Sequence, residues 1–284
     1  LHSNLDANLT LDCVGLNDVE VAIAAASAGA DILRSRYGTT LERFKKSSSD
    51  FATDVDIEVE VAIFDYLRNE RPGDELVGEE SGDARKCHSG RSWLVDPLCG
   101  TLNFASHTPL FSVNVALKDA EATLAAVAVD PMSGEVMWTN GNRSFLRNGD
   151  VDVAMHPTSD SSLVDINVDG PHPNAPLFHA VDMLSEPEFV RYFAPRLSST
   201  SLALAWVAVG KRVGYVSDSN TPDSVHFSSG IALCQSAGCI VTNLRGGELY
   251  TGVGGIVAAS DATAHSRLIA IIEELFLNSR RPHS

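Results

Sequence analysis

The sequence predicts an α/β (α+β) fold in which layers of helix and sheet alternate, and three observations predict it. Two segments in the first seventy residues keep apolar side chains at helical spacing. Residues 111–147 are rich in Val and Ala, alternate in polarity, and are broken by the turn-forming stretches "KDAE", "DPMSGE" and "NGNRS", the pattern of an antiparallel meander. From about residue 160 onward, short apolar runs and helical segments follow one another with no internal repeat and no low-complexity linker.

Each element has a local reason. Asn17 or Asp18 caps a first helix to about Tyr37, with Val21, Ala24, Ala25, Ala28, Ile32 and Leu33 at helical spacing. After the polar turn "KKSSSD", residues 54–69 place Val55, Val59, Ile63, Phe64 and Leu67 along a second helix with acids in its first turn. "ELVGEE" and "RSWLVD" are apolar runs that end in acids, as strands do when they deliver ligands from their ends. The second half is expected to hold a strand near 162–168, a loop "DGPHPNAP", helices near 175–185 and 200–210, the strand "GYVS", a helix near 226–237, the strand "GCIVTN" and a last helix over 261–276. A division into 1–155 and 156–284, packed as one unit, follows from the change of pattern near Met155.

Composition narrows the function classes. The 284 residues are 44% hydrophobic and 20% charged, enough for a sizeable core. A formal charge of −16 repels phosphate backbones and anionic lipid, so neither nucleic acid nor a membrane surface is an expected partner. The nearest basic stretch, "RFKKSSSD" at 43–50, reads as a solvated loop edge. The run "VAIAAASAGADIL" is flanked by Asp18 and Glu20 and contains Asp31, so it reads as a soluble helix. Five cysteines, at 13, 87, 99, 234 and 239, form no CxxC pair and point to reduced thiols and a cytoplasmic protein.

Four separated segments carry chemistry: "DFATDVD" (50–56), "GEES" (78–81), "WLVDPLCGTLNF" (93–104) and "VHFSSG" (225–230), the last followed by "QSAGCIVTN". In order and spacing they resemble the inositol monophosphatase superfamily, which includes fructose-1,6-bisphosphatase-like enzymes, over nearly the whole chain. The resemblance implies an αβαβα layered sandwich and Mg2+-dependent hydrolysis of small phosphate monoesters. It implies that Glu79, Asp96 and the Leu98 carbonyl hold one metal, and that Asp56 and Thr101 position a water. The family's second metal takes Asp96 and two further aspartates, and those two positions are Cys99 and His226 here. The Trp that precedes the second of them is Val225, and the small residues that follow are Ser228 and Ser229.

Two changes on ligands of one ion suggest a coordinated change, with two outcomes. Metal is kept, and Asp96, Cys99 and His226 make an O/S/N set suited to Zn2+ or Fe2+ rather than Mg2+. Alternatively metal is lost, and a thiol and an imidazole face each other as nucleophile and base. The second outcome leads the sequence reading. Cys99 sits where the family turns from a strand into a helix, amides near Gly100 and Thr101 form an oxyanion hole, and Asp96, or failing it Glu79, orients His226. On that reading the enzyme needs no cofactor and performs acyl transfer, hydrolysis or cyclisation on a small molecule or a carrier-protein-bound thioester. The alternative is a phosphomonoesterase for a small sugar, inositol or nucleotide phosphate, using Mg2+ or a softer ion such as Zn2+. A third reading is a non-catalytic relic that binds a ligand. The resemblance also implies a homodimer.

Blander roles stand beside these. Cys99 as a buried structural thiol, His226 as a hydrogen-bonded core histidine, Asp56 on a solvated helix face and Thr101 as a simple cap are each chemically ordinary. Cys234 and Cys239 are expected to pack at a helix-to-strand turn. Cys87 and His88 have no further metal ligand nearby in sequence, and His172 and His179 fall in a loop region placed to cover a substrate.

Overall fold

The computed structural model describes residues 16–47, 50–83, 89–120, 122–174, 177–219 and 221–279. Cys13, Cys87 and His88 lie outside the described residues.

The first helix spans Asp18–Arg36, and the Asn17 side chain accepts the Glu20 amide at its start. Its acids Asp18 and Glu20 lie in the first turn and Arg34 and Arg36 in the last, as the helix dipole favours. The second helix, Asp54–Glu70, opens with a reciprocal cap: Thr53 accepts the Asp56 amide, and the Asp56 carboxylate accepts the Thr53 amide at 2.8 Å. The two helices bury Val21, Ala25, Val55, Val59 and Ile63 against Trp93, Val95 and Val115 of the sheet beside them. Gly29 allows the helices to approach, since a Cβ there would stand 2.9 Å from Val59.

That sheet has eight strands. In spatial order they are Val151–Ala154, Ser144–Asn148, Val136–Thr139, Ala122–Val129, Ser112–Asp119, Arg91–Cys99, Glu75–Gly78 and Gly82–Asp83. All neighbours are antiparallel except Glu75–Gly78 with Arg91–Cys99, so the expected meander forms and the two acid-ended strands lie side by side. A second sheet of five strands orders Ala194–Leu197, Leu163–Ile166, Gly214–Ser217, Ile256–Ala259 and Ile240–Thr242. The helices Leu202–Val209 and Ser228–Ala237 fill the space between the sheets, in one cluster with Ala128, Met137, Tyr215 and Ala258. The last helix, Ala262–Ser279, covers the outer face of the second sheet through Leu268, Ile272 and Phe276. Helix, sheet, helix, sheet and helix therefore stack as the α/β layers the sequence implied.

Some elements differ from expectation. The helix expected near 175–185 is a 3-10 turn over Ala180–Ser185 followed by a short helix Pro187–Tyr192, because Pro187 ends the first segment and starts the second. The strands Ala194–Leu197 and Ile256–Ala259 were not expected. The first contains Pro195 and lies at a sheet edge, where a residue without an amide hydrogen is tolerated. The second, "IVAA", is too short to show a period, and burial on all four residues removes any alternation.

Candidate active site

The centre of the site is the end of the strand Arg91–Cys99. Its register with Ser112–Asp119 holds to Asp96 and then shifts before Cys99, where Pro97 has no amide hydrogen to give the ladder. Gly100 follows at φ +105°, and a Cβ there would stand 2.9 Å from the Leu110 carbonyl and 3.1 Å from that of Ser199. Only glycine fits the turn. The helix it starts, Thr101–Ala105, is five residues long.

Around this turn the chain assembles four of its motifs. Glu79 follows the neighbouring strand, with its amide bonded to the Val95 carbonyl at 3.2 Å. The Glu60 carboxylate accepts the amides of Glu80 and Ser81 at 2.9 and 3.0 Å, which pins the "GEES" turn, and Gly78 makes room for it. Asp56, fully buried in the first turn of its helix, accepts the Thr101 hydroxyl at 2.9 Å. That hydroxyl also lies 3.1 Å from the Leu98 carbonyl. It has one proton, and the carboxylate is the stronger acceptor, so the Leu98 oxygen keeps a lone pair for a cation. His226 sits in the turn before the helix Ser228–Ala237, and Val225 packs beside it on Leu94, Ala116 and Ala232.

Cys99 and His226 both open onto one cavity of about 580 Å3, which Glu79, Leu98, Gly100 and Thr101 also line. The donor atoms of Asp96, Cys99 and His226 lie within 4.8 Å of one another. His226 Nδ1 donates to Asp96 Oδ2 at 2.8 Å and stands 3.9 Å from Glu79 Oε2. Asp96 is wholly buried, whereas 43% of the His226 side chain is exposed.

The charges of these groups are strongly coupled. Burial, and then the Asp96 charge, push Glu79 up to about 8. Burial alone would raise Asp96 too, but the facing His226 imidazolium holds it below the usual carboxylate range. For His226 burial opposes the charged form, and the charge and hydrogen bond of Asp96 outweigh it and hold the ring well above its ordinary value. Burial and the Asp96 charge raise the Cys99 thiol, against the smaller opposing pulls of His226 and the Ser201 side chain, and the Ser201 amide donates to Sγ at 3.0 Å. Burial likewise raises Asp56.

Three sequence expectations need correction here. The stretch "RFKKSSSD" is not only a solvated edge, since Lys46 Nζ bonds Glu79 at 2.7 Å and Glu80 at 2.6 Å. Burial works against the Lys46 charge, but the two glutamates raise it above its usual value. Asp56 is buried rather than on a solvated helix face. The activated thiolate of the acyl reading fails on physical grounds: Cys99 is buried beside a negative carboxylate and holds its proton more tightly than a free thiol, the opposite of what a nucleophilic cysteine needs. The five-residue helix after it offers little dipole to reverse that.

The sequence reading passed over Lys46, Thr53, Glu60 and Ser201. Thr53 had a signal, Thr53 and Asp56 at capping-box spacing in "DFATDVD". The others act across 33, 20 and 102 residues of chain, and nothing local marks them.

A layered sandwich with acids gathered at adjoining strand ends beneath a polar cavity is the build of a small-molecule phosphatase. The chain belongs to the inositol monophosphatase family, whose model matches residues 17–276. It is 28% identical over 274 residues to Nus factor SuhB of Escherichia coli K12, covering 90% of this chain and 96% of that one. It is 29% identical over 255 residues to inositol-1-monophosphatase of Caulobacter vibrioides, covering 87% and 97%. Among solved structures, SuhB of Bartonella henselae superposes with a TM-score of 0.78 at 23% identity over 90% of this chain and 98% of that one. An IMPase of Thermotoga maritima does so with 0.77 at 18% identity over 93% and 100%. These two likenesses fix the fold.

Family membership overturns the leading sequence reading. Neither a Cys99-His226 acyltransferase, hydrolase or cyclase nor its carrier-protein-bound partner agrees with relatives that are inositol monophosphatases. The expectation of no cofactor falls with it, because the family's hydrolysis depends on metal.

The residues present fit a divalent ion. Glu79 Oε2 is buried with no hydrogen-bond partner among the described residues and adjoins the buried Asp96 carboxylate, so a cation there would give that oxygen the partner it lacks. The Leu98 carbonyl adds a third hard oxygen. Cys99 and His226 add sulfur and nitrogen, a softer pair. Among the described residues, no helix is long and apolar enough to cross a membrane.

Proposed function

We propose that this chain is a metal-dependent phosphomonoesterase for a small hydroxylated phosphate, such as a sugar, inositol or nucleotide phosphate, with its second metal position remodelled for a softer ion. The observation that carries this reading is the convergence of the donor atoms of Asp96, Cys99 and His226 within 4.8 Å of one another, with Cys99 and His226 lining the cavity. Glu79, Asp96 and the Leu98 carbonyl would hold an ion by oxygen alone, and Asp96, Cys99 and His226 would hold one such as Zn2+. Divalent ions held by these residues would supply charge for the phosphoryl oxygens and would lower the pKa of a water.

The chain's own groups do the rest. Asp56 orients the Thr101 hydroxyl by accepting its proton, and the hydroxyl oxygen is then free to accept from a water at the phosphorus. A proton leaving that water passes to Thr101 Oγ1 as the hydroxyl proton moves to Asp56, whose raised affinity for protons suits the role. Lys46 holds Glu79 and Glu80 in place from the opposite loop. The cavity wall facing the turn carries Asp169, Ser199, Ser219 and Tyr215, a set that pairs with hydroxyl groups and leaves room for a ligand with several of them.

The relatives' names divide between a phosphatase and a Nus factor. The cavity and its donor set favour the phosphatase, and the −16 charge gives no footing for nucleic acid. The test is release of inorganic phosphate from a panel of sugar, inositol and nucleotide monophosphates with Zn2+, Mn2+ or Mg2+, and again after chelation. Turnover with a soft ion that chelation stops supports the reading. No release with any ion makes the chain a binding relic.

A further inference from the structure

A second cluster lies outside the machinery just described. Asp218 follows the strand Gly214–Ser217 and is 99% buried, being 1% exposed. His172 and His179 come from the loop after the strand Leu163–Ile166, and both turn Nδ1 toward the same oxygen, Asp218 Oδ2, at 3.2 and 4.0 Å. Their rings lie 4.9 Å apart, centroid to centroid. One donor atom from each of the three residues lies within 4.8 Å of the other two.

The hydrogen bonding is what singles the cluster out. At 3.2 Å His172 Nδ1 and Asp218 Oδ2 are near enough to bond, yet both atoms are buried and neither has a hydrogen-bond partner among the described residues. Direction, not distance, is at fault: a hydrogen on the ring nitrogen is not aimed at the carboxylate oxygen. A buried carboxylate oxygen left this way is costly. Two ligands that point at a common third atom have this arrangement, and with bonds of about 2.1 Å the edge of a tetrahedron is about 3.4 Å, between the two separations observed.

We propose that His172, His179 and Asp218 form a further metal site, two imidazole nitrogens and one carboxylate oxygen, that takes Zn2+. Three protein ligands leave a fourth position for water or a ligand oxygen. The bound ion ties the loop to the end of the strand Gly214–Ser217 beside the cavity. Gly170 and Pro171 line that cavity just before His172, and Ser219 lines it just after Asp218, so the ion fixes the wall that faces the substrate. The inference does not rest on the phosphatase reading, since none of the three residues belongs to the Asp96, Cys99 and His226 set.

The test is a count of bound Zn2+ after equilibrium dialysis of the whole protein against a buffered low free-Zn2+ concentration. It is done on the unchanged chain, on His172→Gln, on His179→Gln, and on Cys99→Ser/His226→Gln. Both histidines are about one-third exposed, so their variants are expected to fold, and circular dichroism checks this. The expected result is that each histidine variant binds one equivalent fewer than the unchanged chain, and that Cys99→Ser/His226→Gln still binds the equivalent the histidine variants lose. Zn2+ should also raise the melting temperature of Cys99→Ser/His226→Gln and lose that effect when His179→Gln is added. An equal Zn2+ count in folded His172→Gln, His179→Gln and unchanged protein overturns the proposal. Failure of the phosphatase reading would instead show as no metal lost on changing Cys99 and His226.

Discussion

Cys99→Asp together with His226→Asp should turn the second metal position back to a hard one. At present an imidazolium stands 2.8 Å from Asp96 where a cation would bind, and the neighbouring sulfur is a poor ligand for Mg2+. The double change replaces one positive and one neutral group by two carboxylates. A unit charge 4 Å from a divalent ion interacts with it by about 8 kcal/mol at an effective dielectric of 20 and by about 2 kcal/mol in water. His226 is 43% exposed, so about 2 kcal/mol is a fair scale for removing its charge alone, or about thirtyfold in Mg2+ affinity. The added carboxylates act in the same direction. Calorimetric titration of Mg2+ into unchanged and double-variant protein, beside phosphate release at matched Mg2+, reads the effect. Mg2+ binding at least thirtyfold tighter, with greater Mg2+-supported turnover, is expected. Unchanged or weaker Mg2+ binding by a folded double variant would refute the placement of these two residues around one ion.

Thr101→Ala should lower turnover by about a hundredfold or more with metal affinity little changed, and Thr101→Ser should restore most of it, as expected for a hydroxyl that handles a proton. Thr53→Ala removes a cap and the hydroxyl that donates to the buried Asp56 and should cost about 1–3 kcal/mol in denaturant unfolding. Zn2+ binding should release protons and tighten as pH rises toward about 8, because Glu79 keeps its proton up to about 8 and Cys99 and His226 hold theirs beyond their ordinary ranges. Titrations in buffers of different ionisation heat measure the release. The sign for the metal-free fold runs the other way. Glu79 and His226 are raised above their unfolded values, so the stability linked to each is full below 4.5 for Glu79 and below 6.5 for His226 and is lost as pH rises from there, completely above about 8 for Glu79 and higher for His226. Melting of chelated protein across pH 5 to 9 checks this.

Much of the architecture was legible where the signal is local. The cap at Asn17, the apolar stripes of the first two helices and the turns of the meander each specify structure within a few residues. The meeting of Cys99 and His226 was also legible, through four motifs in a fixed order. What those two residues do was not. The chemistry of a thiol depends on burial and on the charges beside it, and the sequence shows neither the burial of Sγ nor the Asp96 carboxylate near it. Lys46 was misread for a related reason: its partners are 33 and 34 residues away. His172, His179 and Asp218 likewise meet only because two neighbouring strands of the second sheet end together.

The central claim is that Cys99 and His226 serve one metal ion with Asp96, and a Co2+ titration followed by absorbance tests it most directly. The account predicts a thiolate-to-cobalt charge-transfer band that saturates at the intensity of a single thiolate–Co2+ bond per chain and disappears in Cys99→Ser. Co2+ binding without that band, or a band that persists in Cys99→Ser, would contradict it.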